Sequence, residues 1–159
     1  MTTDSDIVAA IDAAFVSVSR PEHFTNFQHC EECLEHDQTL LSRAREDLTL
    51  EHLDQPGWDP VCFATPTAKA YLMPQLARLA LQKSGSNVDW YGSQLIFHLY
   101  SGHRSNDLWQ FCDPSQKKAV ASLLLHLIDS RSNLIDKYCD TDDILRCYEL
   151  WAESLVVRA

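Results

Sequence analysis

Asp113-Pro114-Ser115-Gln116 is where this chain commits most plainly to a helix. An aspartate precedes a proline at the first helical position, where the missing N–H is harmless, and a glutamine two residues on can close a capping box. Val120, Leu123, Leu124, Leu127, Leu134 and Ile135 extend the apolar pattern and predict a long helix from Asp113 to about Asp136. Asp140 or Thr141 then caps a last helix through Ile144, Cys147, Tyr148, Trp151 and Leu155, nearly a heptad stripe. At the other end, Asp4 or Ser5 caps a helix carrying Ile7, Ala10, Ile11, Ala14, Phe15 and Val18 at three- and four-residue spacing. Arg20-Pro21 closes it, because a residue before proline is pushed out of the α region.

The middle of the chain follows the same rules. Glu22 to Phe27 reads as a loop anchored by Phe24 and Phe27, and Gln28 to Glu46 as a helix with acids at its start and Arg43 and Arg45 near its end. Leu48 to Leu53 predicts a short helical turn, Gln55 to Pro60 a rigid one, and Val61-Cys62-Phe63 a strand or extended piece. Thr65-Pro66 starts a helix that reaches about Gln82, with a kink or a break expected at Pro74 and a polar stop at Lys83-Ser84-Gly85-Ser86. Asp89 to Tyr100 is rich in strand-friendly residues, yet Tyr91, Leu95 and Leu99 space as a helix. Ser101-Gly102 ends it, and Ser105 to Phe111 adds a turn. The expectation is a mainly α single-domain bundle over residues 1–159, with about five to seven helices and room for one short extended segment near 61–63.

Composition narrows the functional classes. A chain of 159 residues suits one domain with its own core, and four glycines and six prolines leave little for linkers. No apolar run reaches the roughly 18 residues of a membrane helix, and the acidic start Met1 to Asp6 is unlike a signal peptide. A soluble cytoplasmic protein that binds no membrane is expected.

The net charge of −10 arises entirely within residues 1–68, where thirteen acids face Arg20, Arg43 and Arg45; the remainder is neutral. No basic stripe exists to neutralise phosphates, so nucleic acid is a poor partner. A metal ion or a basic protein surface fits better, the latter as for an immunity or anti-toxin type protein, although solubility alone accounts equally well for the charge. No GxSxG, Walker loop, GxGxxG or HExxH is present, which leaves hydrolase, nucleotide-binding and zincin readings without support.

Chemistry concentrates in Gln28-His29-Cys30-Glu31-Glu32-Cys33-Leu34-Glu35-His36-Asp37, with two thiols, two imidazoles and four carboxylates. Cys30 and Cys33 have the spacing of a zinc knuckle; His36 is the expected third ligand and His29 or His23 the fourth, with distant Cys62 or His103 as alternatives. A CxxC at a helix start is also the layout of thiol–disulfide chemistry, but Glu31, Glu32, Glu35 and Asp37 disfavour a thiolate and favour a cation. The plain alternative is packing: two cysteines three apart on a helix facing the core. Cys62, Cys112, Cys139 and Cys147 stand singly among apolar residues and read as small buried hydrophobes, and His98 and His103 as satisfied core or surface histidines.

Several phrases carry a resemblance: Arg20-Pro21-Glu22-His23-Phe24-Thr25, Cys30-Glu31-Glu32-Cys33-Leu34-Glu35-His36-Asp37 and Pro56-Gly57-Trp58-Asp59-Pro60-Val61-Cys62-Phe63. With Tyr71-Leu72-Met73-Pro74 and Asp113-Pro114-Ser115-Gln116-Lys117, the chain resembles a family of small bacterial proteins catalogued only as a domain of unknown function. That resemblance implies a complete bacterial protein and brings no activity with it. The helical peroxidase family related to carboxymuconolactone decarboxylase carries a CxxC followed after three residues by histidine; here two residues separate Cys33 from His36.

Overall fold

The computed structural model describes residues 1–53, 58–82 and 90–156, which form nine α-helices and no β-strand. In chain order these are α1 (Asp4–Phe15), α2 (Glu31–Leu41), α3 (Leu50–Leu53), α4 (Pro66–Leu81), α5 (Gly92–Tyr100), α6 (Asp107–Phe111), α7 (Pro114–Ser130), α8 (Ser132–Lys137) and α9 (Thr141–Val156). Short 3-10 turns cover Arg45–Asp47, Pro60–Phe63 and His103–Ser105. None of these helices is long and apolar enough to cross a membrane.

Capping chemistry sets most of the boundaries. Asp113 accepts from the Gln116 N–H (2.8 Å) and Gln116 Oε1 from the Asp113 N–H (3.0 Å), the box expected there. The first helix has its own box one residue earlier than expected, between Thr3 and Asp6. It stops at Phe15 rather than running to Arg20. Thr65 caps α4 through the Ala68 N–H (3.3 Å), and the helix passes through Pro74 as one element.

Three expectations change. The helix expected over 28–46 is α2 alone, because Cys30 is extended (φ −161°, ψ 170°) and Ser42 ends it. The helix expected to reach Asp136 divides at Arg131 (φ −128°, ψ 22°), whose guanidinium reaches Leu81 O (2.8 Å) and Asp4 Oδ2 (2.7 Å). Val61-Cys62-Phe63 is a 3-10 turn and not a strand, since Asp59 Oδ1 accepts from the Val61 N–H (2.8 Å) and nucleates it. The extended backbone nearby is an isolated antiparallel bridge between Thr25 and Ala64. The turn expected over 55–60 and the stop at Lys83-Ser84-Gly85-Ser86 fall partly or wholly outside the described residues.

α4 is the central element. Eleven of its sixteen residues are buried, so it is apolar nearly all round, as a helix enclosed by others must be. α1, α5 and α6 pack on it, α7 joins α1 to α9, and α9 returns to α5. Helix ends within this core are satisfied by side chains: Trp90 Nε1 donates to Ala80 O, Trp151 Nε1 to Leu99 O and Asn106 Nδ2 to His98 O, each at 2.9 Å. Gly92 is required by packing, since a Cβ there would lie 2.0 Å from the Trp90 ring. α2 lies at the edge against the Pro60–Phe63 turn, and that is where the reactive side chains gather.

Candidate metal centre

Asp37 is the buried carboxylate that organises the edge. Its Oδ1 accepts from the backbone N–H groups of Phe24 (2.6 Å) and Thr25 (3.1 Å), and its Oδ2 lies 2.7 Å from His23 Nδ1. Thr25 Oγ1 donates to Cys33 O (2.6 Å) and the Thr65 N–H to Phe24 O (2.8 Å), so loop, helix and turn are laced together. The Asn26–His29 turn, closed by the His29 N–H on Asn26 O (3.0 Å), brings His29 over the first turn of α2.

Three ligand-type atoms meet there. The Cys30 and Cys33 sulfurs are 3.4 Å apart and Cys33 Sγ is 3.7 Å from His29 Nδ1. All three donors lie within 4.8 Å of one another. A tetrahedral zinc with bonds near 2.3 Å to sulfur and 2.05 Å to nitrogen would set these edges at about 3.8 and 3.6 Å. The site therefore needs only small adjustments to close on such an ion. Cys30 and His29 are exposed and Cys33 is buried, so the group opens outward.

The thiols are unequal. The Cys33 backbone N–H, the Cys33 thiol and His29 together lower the Cys30 pKa. The Cys30 thiol, burial and the nearby Cys30 and Glu32 charges raise that of Cys33. The penalty expected from the flanking acids is felt at Cys33, through Glu32, whereas hydrogen-bond donors prevail at Cys30.

The other expected ligands lie elsewhere. His23 pairs with Asp37 and stacks on Phe27, ring centroids 3.9 Å apart. His36 is buried, with its ring 4.4 Å from Phe63 and 4.8 Å from Trp58. Its Nε2 has no hydrogen-bond partner among the described residues, Glu32 Oε1 standing off at 3.9 Å. Neither joins the group formed by His29, Cys30 and Cys33. His103 stacks on Tyr100.

Cys62, by contrast, belongs to a second group that sequence reading did not assemble. His98 Nε2 lies 2.7 Å from Asp59 Oδ2, both side chains are buried, and Cys62 Sγ is within 4.8 Å of a donor atom of each. Cys62 and Cys139 are exposed, contrary to the expectation of buried hydrophobes; Cys112 and Cys147 are buried, and burial pushes the Cys112 thiol up to about 12. The only local hint was the Asp59-x-x-Cys62 spacing, since His98 comes from another helix.

Compared with family models, with curated proteins and with solved structures, the chain matches none. The family resemblance read from the sequence is thereby neither strengthened nor weakened. What the fold and site define is a mainly α-helical bundle carrying a Cys/His group at its edge.

Proposed function

We propose that the protein binds a divalent metal ion, zinc by the softness of its donors, through His29, Cys30 and Cys33, with one coordination position left open. The observation that supports this most is the pair of donor distances, 3.4 and 3.7 Å, close to the edges of about 3.8 and 3.6 Å a tetrahedral ion requires, with the third pair within 4.8 Å. The acids around the site favour a cation in the same place, and Asp37 acts as the frame that keeps the loop bearing His29 against α2. Elemental analysis of protein purified without added metal tests the reading. About one zinc per chain is expected, lost in Cys33→Ser and kept in His36→Ala. Cobalt substitution should give thiolate charge-transfer absorption. Metal-free protein that also shows no cobalt-thiolate band would end it.

A second reading, thiol–disulfide exchange, is favoured by one arrangement: an exposed Cys30 at the helix start and a buried Cys33 with its sulfur 3.4 Å away. It predicts an equilibrium reduction potential measurable against glutathione, and zinc-loaded protein that resists oxidation. A Cys30–Cys33 pair that stays reduced in oxidised glutathione after metal removal would exclude it.

A further inference from the structure

The Asp59, Cys62 and His98 group shares no residue with the metal centre and has a different construction. Asp59 is held by three N–H donors: Val61 (2.8 Å) on Oδ1, and Gln94 Nε2 (3.2 Å) and His98 Nε2 (2.7 Å) on Oδ2. A carboxylate that N–H groups surround in this way is not poised to ligate a cation. It is poised to orient an imidazole and to stabilise its protonated form. The backbone turn that Asp59 nucleates also places Cys62 two residues beyond the proline, with the Cys62 N–H on Asp59 O (3.1 Å).

Cys62, Phe97 and His98 line two adjoining cavities. One, of about 330 Å³, adds Ser93 and Gln94; the other, of about 410 Å³, adds Lys69, Ser101 and Asn106. Volumes of this size suit a small organic molecule. Phe97, 58% exposed, supplies an apolar wall at the mouth.

We infer that Cys62, His98 and Asp59 form a nucleophilic thiol site for short-chain acyl esters or thioesters. Cys62 Sγ lies within 4.8 Å of a His98 donor atom, a gap that substrate binding must close, and Asp59 on Nε2 leaves Nδ1 as the basic nitrogen. The Cys62 sulfur attacks the acyl carbonyl carbon and forms a C–S bond, while its proton passes to His98 Nδ1. The bond from the carbonyl carbon to the alcohol or thiol leaving group breaks, and that group leaves with the His98 proton. Water then attacks the S-acyl bond, giving a proton to His98 as the Cys62 thiolate departs and recovers it, and releasing the carboxylic acid. Asp59 is the positioning residue throughout. Burial and the Asp59 charge hold the resting thiol protonated, so its reactivity depends on a base and not on a standing thiolate.

The probe is 4-nitrophenyl acetate, applied to the full chain carrying Cys30→Ser and Cys33→Ser, which removes the metal centre. Site-resolved mass spectrometry reads acetylation at each remaining thiol. Cys62 should acetylate on the order of a hundredfold faster than exposed Cys139, and His98→Gln should bring it to the Cys139 rate. Cys112 and Cys147, buried in the fold, report on unfolding by staying unmodified. Turnover beyond one equivalent of nitrophenolate should disappear in Cys62→Ser, a change confined to an exposed thiol. Equal rates at Cys62 and Cys139 in the parent, or acetylation indifferent to His98→Gln in a folded variant, would overturn the assignment. So would a cobalt-thiolate band that Cys62→Ser abolishes, which would make the group a metal site instead.

Discussion

The two cysteine–histidine groups are held in opposite ways. His29, Cys30 and Cys33 come from five consecutive residues and sit at the edge of the bundle, with His29 and Cys30 exposed and Cys33 buried beneath them. Asp59 and His98 come from elements 39 residues apart, lie inside the bundle, and have their hydrogen bonds nearly saturated. A cluster held only by weak contacts to sulfur and open on one side gains free energy by binding something. A satisfied inward pair already contributes to the fold, and any chemistry there must work through the one member it leaves exposed, Cys62. The comparison therefore separates ligand-dependent stability from intrinsic stability.

The largest effect should come from Asp59→Ala. It strands the Val61 N–H and His98 Nε2 in a buried region, at about 1–3 kcal/mol for each unsatisfied group, while Gln94 Nε2 keeps its bond to Leu53 O (2.9 Å), so a total of about 2–6 kcal/mol is expected. Urea unfolding of the metal-free protein reads it directly. A loss below about 1 kcal/mol would show that the pair is not a structural clamp, and the contrast between the groups would fail.

Next in size is the ligand-linked term. Zinc at about one hundred times its dissociation constant should stabilise the wild-type chain by about 2.7 kcal/mol. Cys30→Ser should abolish that gain while changing metal-free stability little, because Cys30 is exposed and makes no side-chain cap bond at the start of α2. Cys62→Ser should leave the gain intact. Thermal melts with and without zinc check all three outcomes together.

Asp37→Asn sharpens the boundary between the groups, since it is a buried, saturated carboxylate like Asp59 but frames the exposed site. The amide oxygen still accepts from Phe24 or Thr25, so metal-free stability should fall by about 1–2 kcal/mol. Because the loop bearing His29 loosens, metal affinity should drop by about tenfold to a hundredfold, read by competition with a chromogenic chelator.

What the sequence made legible follows the same division. The capping signals at Asp113 and Thr65, and the apolar periodicities of α1, α7 and α9, are local, and they placed the starts of these helices within a few residues of where they lie. Cys30 and Cys33 were legible because three residues of backbone decide their separation. The ligand role expected of His36 rests on the same kind of argument, yet the structure sets its ring apart from the group of His29, Cys30 and Cys33. Helical spacing puts it one turn from Cys33, but the Trp58 and Phe63 rings, from a distant turn, draw it to the inner face. His23 was likewise taken by Asp37, fourteen residues on. The break at Arg131 and the pairing of His98 with Asp59 depend on partners 50 and 39 residues away, which no local pattern encodes.

The smallest effect tests whether saturation, not burial alone, separates the carboxylates. Asp140 receives one side-chain donor, the Ser93 hydroxyl, and faces Asp143, so burial first and that neighbouring charge raise its pKa above 3.8. The folded state then binds the proton more tightly than the unfolded chain. Stability from this group is complete below about pH 3.8 and declines as pH rises through the folded value, so at pH 7 the fold carries the cost of a charged Asp140. Asp140→Asn removes that cost while keeping an acceptor for Ser93. Since Asp140 is only partly buried, solvent screening holds the gain to about 0.5 kcal/mol or less. Paired urea titrations at pH 7 and near pH 3.5 should show the variant more stable only at the higher pH; an equal gain at both would mean that the charge is not its source.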